Sequence, residues 1–328
     1  MKIVDIRGFS GCGDWYKGNL HSHTDNSDGL MTPKEAASAF RAKGYGFLCL
    51  SEHDFYTDYR EELNREDFII LPGFEASAVL YEDENMKKVI KTHHMNAILG
   101  TEEMQARAVL RRPYHCEDMQ VRRFFGTWNG AGVACEMARE LSERGFIVTY
   151  NHPVWSRVDA EEFYSCGAFA LEIFNYNTVN ECGEGYDTRD WDVMLRRGKK
   201  ILGFASDDNH NEGRFDDAFG GWISVKAESL SHDNIIKSIL SGNYYSSSGP
   251  EICDWGVLGD EVYVSCGKCE RINFITGGGV GKSRTVIRNS EDGLTNARFR
   301  LKGGETYVRV ECVDEKGRTA WSNPIFLL

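Results

Sequence analysis

Up to about Pro250, short apolar runs alternate with amphipathic stretches, the β-α-β rhythm expected of a parallel sheet or barrel. Seven runs read as strands: Asn19–His23, Phe47–Glu52, Phe68–Glu75, His93–Ile98, Phe146–Asn151, Ala170–Asn175 and Ile201–Ser206. Between them the helices are legible. Thr32-Pro33-Lys34-Glu35 combines a capping hydroxyl, a proline suited to the first helical position and a glutamate that reaches back to the cap, which predicts a helix to about Lys43 before Gly44. Ala134–Arg144 ends at Gly145 in the same way, and Ser231 is placed to cap Asn234–Leu240. The stretch Thr101–Trp128 fits less well. It is rich in arginine (Arg107, Arg111, Arg112, Arg122, Arg123) and reads as solvated surface in preference to a helical excursion over a site. Beyond Pro250 the period changes to two, as in Ala297-Arg298-Phe299-Arg300-Leu301 and Tyr307-Val308-Arg309-Val310-Glu311-Cys312-Val313, with Gly-rich turns between. The expected organisation is therefore an α/β domain over residues 1–250 and a small antiparallel β-sandwich-like domain over residues 251–328.

Polar residues interrupt this pattern at telling places. Six of the nine histidines fall into an ordered series with three carboxylates, His21, His23, Asp28, His53, Glu75, His94, His152, Asp208 and His210, almost all of them at or just beyond the C-terminal ends of the predicted strands. In α/β barrels the loops that follow the strands converge on one face, so residues scattered in sequence would meet in space. A lone histidine is usually only a hydrogen-bonding core residue. Here His21-x-His23 would project to one face of a strand, and Asp208-x-His210 repeats the arrangement. Neutral imidazole and carboxylate suit Zn²⁺, Mn²⁺ or Fe²⁺, and the donors exceed what one tetrahedral ion uses. A multinuclear metal centre is expected.

Composition narrows the partners. A formal net charge of −12 argues against an extended nucleic-acid footprint, while metal ions can still admit one anionic group. No duplex nucleic acid is expected. Neither a secretory apolar core near Met1 nor any run of about 20 apolar residues is present, so no membrane association is expected and the protein reads as cytoplasmic. The ten cysteines are dispersed and read as reduced thiols. Cys266-Gly267-Lys268-Cys269 is the one close pair, and a zinc ribbon would need a second pair at suitable spacing, which is absent.

The motifs themselves resemble those of the polymerase and histidinol phosphatase (PHP) superfamily of metal-dependent phosphoesterases. Gly18-Asn19-Leu20-His21-Ser22-His23-Thr24 with Ser27-Asp28-Gly29 is similar to its first motif, Ser51-Glu52-His53-Asp54 to its second, Asn151-His152-Pro153 to its third and Ser206-Asp207-Asp208-Asn209-His210 to its last. The resemblance implies a distorted (β/α)7 barrel and a trinuclear centre of two to three divalent ions (Mn, Fe or Zn). Its ligands would be His21, His23, Asp28, His53, Glu75, His94, His152, Asp208 and His210, with His94 chosen over the adjacent His93 because His94-x-Asn96 fits the family pattern better. Glu52 stands where the second motif more commonly has aspartate. Trp191-Asp192, Gly220-Gly221-Trp222 and residues 320–325 resemble a subgroup with a β-rich C-terminal domain, some of whose members cut esters or carbamates.

The activity implied is hydrolysis of a small phosphorylated molecule, a nucleotide or sugar phosphate, by a metal-bridging hydroxide. Two alternatives stand beside it: a metal-dependent hydrolase of a carboxylic ester, carbamate or amide, and a non-catalytic binding module of the same fold. Asp54 is a candidate proton carrier or a structural hydrogen-bond acceptor. Arg157 and Arg214, just after ligand motifs, either clamp a phosphate or are ordinary surface arginines. Glu172 reads as a support for a ligand, and Trp155 as a pocket wall or core aromatic.

Overall fold

A computed structural model describes residues 5–109 and 121–327, so the expectation for Arg111 and Arg112 lies outside the described residues. Strand β1 (Asp5–Arg7) is followed by three parallel neighbours, β2 (Asp14–Asn19), β3 (Phe47–Leu50) and β4 (Ile69–Tyr81). Helix α1 (Pro33–Ala42) starts as its sequence requires: Thr32 and Glu35 each accept the other's backbone N–H, and Ala36, Ala37 and Phe40 turn inward. A single turn, α2 (Arg60–Leu63), precedes β4.

The parallel rhythm breaks at β5 (Val89–Leu99). Residues 82–88, a charged turn, leave no room for a crossover helix, so β4 and β5 form a long hairpin from Gly73↔Ile98 to Tyr81↔Val89. After α3 (Glu102–Arg107), β6 (Arg122–Phe125) adds to β4 in parallel, and Arg122 pairs with Glu140. The described parts of the arginine-rich stretch thus include a capped helical turn and a short strand as well as solvated surface.

The remaining elements of this half are α4 (Gly130–Glu143), β7 (Phe146–Tyr150), α5 (Ala160–Phe163), β8 (Ala170–Asn175), α6 (Tyr176–Cys182), α7 (Thr188–Arg196), β9 (Leu202–Ser206), β10 (Trp222–Ala227), α8 (His232–Leu240) and β11 (Tyr244–Ser247). Val133, Ala134, Met137 and Leu141 of α4 share a core with Phe74, Met95, Phe146 and Val148, which fixes α4 against the sheet. The strand order is β10–β2–β3–β4–β5–β7–β8–β9. β5 is antiparallel to both neighbours, and β10 is antiparallel to β2.

The expected distorted (β/α)7 barrel is therefore corrected to a mixed α/β sheet whose ladder does not close. β9 and β2 meet only past their ends, through an isolated bridge between Ser22 and Asn209. The first predicted strand is displaced as well. Pairing with β10 spans Asp14–Gly18, which leaves His21 and His23 just beyond the strand, held extended by the Ser22 bridge.

Eight antiparallel strands follow: β12 (Ile252–Leu258), β13 (Glu261–Cys269), β14 (Arg271–Thr276), β15 (Arg284–Ile287), β16 (Leu294–Arg300), β17 (Tyr307–Val313), β18 (Thr319–Ser322) and β19 (Ile325–Phe326). One sheet runs β1–β12–β13–β16; the other, β15–β14–β17–β18, continues through β11 into the large sheet. Trp255, Val257, Val264, Phe274, Phe299 and Val310 fill one core between the two layers, as alternating strands facing each other should. Arg309, fully buried, pairs with Asp192 and Glu311 and lies over the Trp191 ring, tying β17 to α7.

Candidate metal centre

Every ligand candidate except Asp28 is carried by a strand of the large sheet or by the first residues after one, and Asp28 rides on the loop after β2. Glu75, fully buried, sits at the middle. Its Oε1 lies 3.3 Å from His21 Nε2, 3.2 Å from His94 Nδ1 and 3.3 Å from His152 Nε2, and its Oε2 lies 3.0 Å from His53 Nδ1 and 3.7 Å from His23 Nε2. Asp208 Oδ1 is 3.0 Å from both His21 Nε2 and His23 Nε2. Asp28 spans the outer side, 3.4 Å from His53 Nε2 and 3.4 Å from His210 Nε2. His93 points the other way, bonded to Tyr150 and the Gly130 carbonyl and stacked on Trp128.

These donors fall into overlapping groups whose ligand atoms all lie within 4.8 Å of one another: His23, Asp28, His53 and His210; His21, His23 and Asp208; His53, Glu75 and His94; and His21, His152 and Glu172. Four of the atoms turned inward, His21 Nε2, His23 Nδ1, His94 Nδ1 and Glu75 Oε2, are buried without a hydrogen-bond partner. A buried polar atom left so costs about 1–3 kcal/mol, which folded proteins seldom accept without a further occupant. Divalent cations fit this donor set.

Protonation preferences follow the crowding of imidazoles and carboxylates. Burial, then the nearby His53, pushes His23 down to about 3, which leaves it a neutral donor. Burial alone would raise the Glu75 carboxyl, but His94 and His21 outweigh it and hold the group well below its ordinary range. Burial likewise disfavours a charged His53, yet the neighbouring carboxylates of Asp28 and Glu75 carry it up to about 11. A proton there serves the carboxylates as a cation would.

The supports are mostly amides and carboxylates. Glu172 Oε1 accepts from His21 Nδ1 at 2.9 Å and from the Ser206 hydroxyl, while its Oε2 accepts from the His152 N–H at 3.0 Å and from Asn175 at 3.0 Å. A carboxylate behind the far nitrogen of an imidazole fixes which nitrogen is free to bind. Glu52 takes Thr24 N–H at 3.0 Å and Ser27 O–H at 2.7 Å, so it anchors the loop that presents Asp28. Asp207 gathers the N–H groups of Phe219, Gly220 and Gly221 and closes the loop after β9. A Cβ on Gly221 would stand 2.1 Å from the Ser206 carbonyl oxygen, so only glycine fits there. His152 and Asp208 themselves adopt positive φ, 24° and 55°.

The centre opens into a cavity of about 230 Å³ lined also by Trp155, Asn177, Thr178, Glu181, Glu212, Arg214, Phe215 and Asp217. Trp155 stands edge-on to His152 at 5.1 Å and forms a wall. Arg214 is at the mouth, paired with Glu212. Arg157 is not among the lining residues; its guanidinium pairs with Glu184 at 2.9 Å. Asp54 is outside the lining too. Its Oδ1 accepts the Ser77 N–H at 2.7 Å, and burial pushes its carboxyl up to about 6. Sequence reasoning missed α6, which begins at a side-chain cap from Asn175 and brings Asn177 to 3.0 Å from His210 Nδ1. It also missed Asp217, which accepts the His210 and Asn211 N–H groups. An asparagine at a strand end was the only available signal for the first, and none existed for the second.

No family model matches the sequence, and no curated protein does. Among solved structures the chain is similar to a two-domain protein containing a predicted PHP-like metal-dependent phosphoesterase from Bacteroides vulgatus, at 14% identity and a TM-score of 0.45 over 95% of this chain and 93% of that one. A putative metal-dependent phosphoesterase from Bifidobacterium adolescentis matches at 16% identity and TM-score 0.42, over 68% of this chain and 95% of that one. An amidohydrolase from Chromobacterium violaceum with bound sulfate and no metal matches at 13% and 0.41, over 69% and 96% respectively. Likenesses this slight leave the chemistry to be read from the site. Among the described residues, no helix is long and apolar enough to cross a membrane.

Proposed function

We propose that the protein is a metal-dependent hydrolase of a small phosphorylated molecule. The observation that supports this most is the set of buried, unpartnered ligand atoms on His21, His23, His94 and Glu75 facing one another. His21, His23, Asp28, His53, Glu75, His94, Asp208 and His210 would hold the ions in the three groups that do not need Glu172, and His152 would join them from 3.3 Å beside Glu75 Oε1 and 3.7 Å beside Asp208 Oδ2. Divalent ions bound there would supply a nucleophile from water near neutral pH and Lewis acidity toward a substrate oxygen.

The chain's own side chains do the rest. Glu172 and Ser156 orient His21 and His152 through their Nδ1 atoms, and the Asp208 carbonyl, to which Asn177 also donates, does the same for His210. Asp54 positions His53 by pinning the turn to Ser77. Trp155 and Phe215 make the apolar walls, and Arg214 meets an anionic group at the mouth. Small size follows from the cavity volume.

One observation favours a second reading, hydrolysis of a carboxylic ester, carbamate or amide. Among the described residues, Arg214 is the only arginine or lysine lining the cavity, whereas Glu181, Glu212 and Asp217 line it too, an unfavourable field for a free dianion. A panel of phosphomonoesters, phosphodiesters, carboxylic esters and carbamates, assayed with Mn²⁺ or Zn²⁺, separates the two. Turnover of a phosphoester above all others supports the first reading. Activity confined to carboxyl derivatives overturns it, and protein purified with less than one ion per chain and no activity on metal addition overturns both.

A further inference from the structure

The close pair Cys266 and Cys269 is joined in space by Cys312, a residue no local spacing connects to it. Cys266 and Cys269 lie on β13, where the register with β16 shifts between Ser265 and Cys269; Cys312 lies on β17 in the opposite sheet, paired with Ile272 and Ala320. All three are buried, and their sulfurs lie within 4.8 Å of one another. Among the described residues, no histidine or carboxylate joins them.

An ion about 2.3 Å from three sulfurs in a plane spaces those sulfurs about 4.0 Å apart. A disulfide would draw two of them to about 2.05 Å and leave the third idle. We propose that Cys266, Cys269 and Cys312 form a second metal site, a trigonal thiolate site for a soft cation, Cu⁺ in preference to Zn²⁺. Softness favours either ion over the hard cations. Among the described residues no fourth protein donor joins the three sulfurs, which disfavours zinc, whose structural sites are almost always tetrahedral. The three thiol protons pass to solvent as the ion binds. Bound there, the ion clamps β13 to β17 and hence one layer of the sandwich to the other.

The test uses the full chain, reduced, stripped with chelator and kept anaerobic. Cd²⁺ reports the site through its thiolate charge-transfer absorption, which the imidazoles and carboxylates of the other centre do not produce. The part of binding lost in Cys269→Ser relative to the wild type, for Cu⁺ added under reductant against a chromophoric Cu⁺ chelator and for Zn²⁺ against a zinc indicator, gives the preference at the thiolates alone. The expected result is one sulfur-bound ion per chain in the wild type and in Cys253→Ser, an exposed cysteine outside the cluster. Cys266→Ser, Cys269→Ser and Cys312→Ala should each lose that band, and Cu⁺ should raise the melting temperature of the wild type but of none of these. If Cys312→Ala fails to fold, the two serine variants decide by the same band. Absence of the band in the wild type, its survival in the folded variants, tighter Zn²⁺ than Cu⁺ binding, or a disulfide within the trio in protein kept anaerobic from lysis would each overturn the proposal. None of these results depends on the hydrolase reading.

Discussion

Replacing Glu172 with glutamine changes one atom behind His21 and should cripple metal binding without unfolding the protein. Each oxygen of Glu172 accepts two hydrogen bonds, from His21 Nδ1 and Ser206 on one side and from the His152 N–H and Asn175 on the other. The His152 N–H is a donor and nothing else, so the amide oxygen of glutamine must face it, and the amide NH₂ must face His21 and Ser206. There the molecule can adapt. The Ser206 hydroxyl rotates to accept, and His21 changes tautomer so that Nδ1 accepts and Nε2 carries the proton. That proton points at Glu75 Oε1 and Asp208 Oδ1, at 3.3 and 3.0 Å, which receive it well in the metal-free protein. The nitrogen that would bind the ion is now blocked. Loss of such a supporting carboxylate typically costs 10- to 100-fold in metal affinity, about 1.4–2.7 kcal/mol. Competition dialysis with Zn²⁺ and Mn²⁺ reads the affinity, and urea unfolding in chelator reads the stability. Unchanged affinity, or a metal-free protein that no longer unfolds cooperatively, would refute the tautomer reasoning.

Four further substitutions, at three positions, probe the scaffold. Asp208→Asn and Asp208→Ala should both abolish turnover in folded protein, but the alanine variant should unfold about 1 kcal/mol more easily in chelator because asparagine tolerates the positive φ of 55° and alanine does not; wild-type turnover in either would contradict the site. Gly221→Ala forces a carbon toward the Ser206 carbonyl and should cost about 1–3 kcal/mol in urea unfolding, with metal affinity falling alongside as the Asp207 loop shifts. Lys17 lies between the Tyr45 and Trp222 rings, and burial lowers its pKa to about 8. The unfolded chain keeps that proton up to about 10.5, so the folded state gains stability as pH rises from 8 to 10.5, and urea unfolding of Lys17→Met should show a shallower rise over that window than the wild type. Equal slopes would mean that Lys17 is not desolvated.

The candidate ligands were legible because polar residues at the ends of apolar runs announce themselves. His53, Glu75 and His152 needed only that rule, and they do meet around one cavity. Strand direction was not legible. Nothing in the apolar content of His93–Ile98 distinguishes a parallel strand from the returning arm of a hairpin; the distinction lies in the shortness of residues 82–88. The start of β2 was missed because its first residues, Asp14 and Trp15, are exposed and carry no apolar periodicity. Cys312 was invisible as a partner of Cys266 and Cys269 because pairing across a sandwich is set by the register of two sheets, which no local spacing encodes.

The pairing of β1 with β12 sets an order of events for a growing chain. Asp5 finds its partner at Leu258, so β1 stays unpaired until β12 has left the ribosome. Contacts that remote slow folding and prolong the exposure of unpaired edges. A chain stopped before β12 would therefore leave β1 without a partner, a form that invites a chaperone.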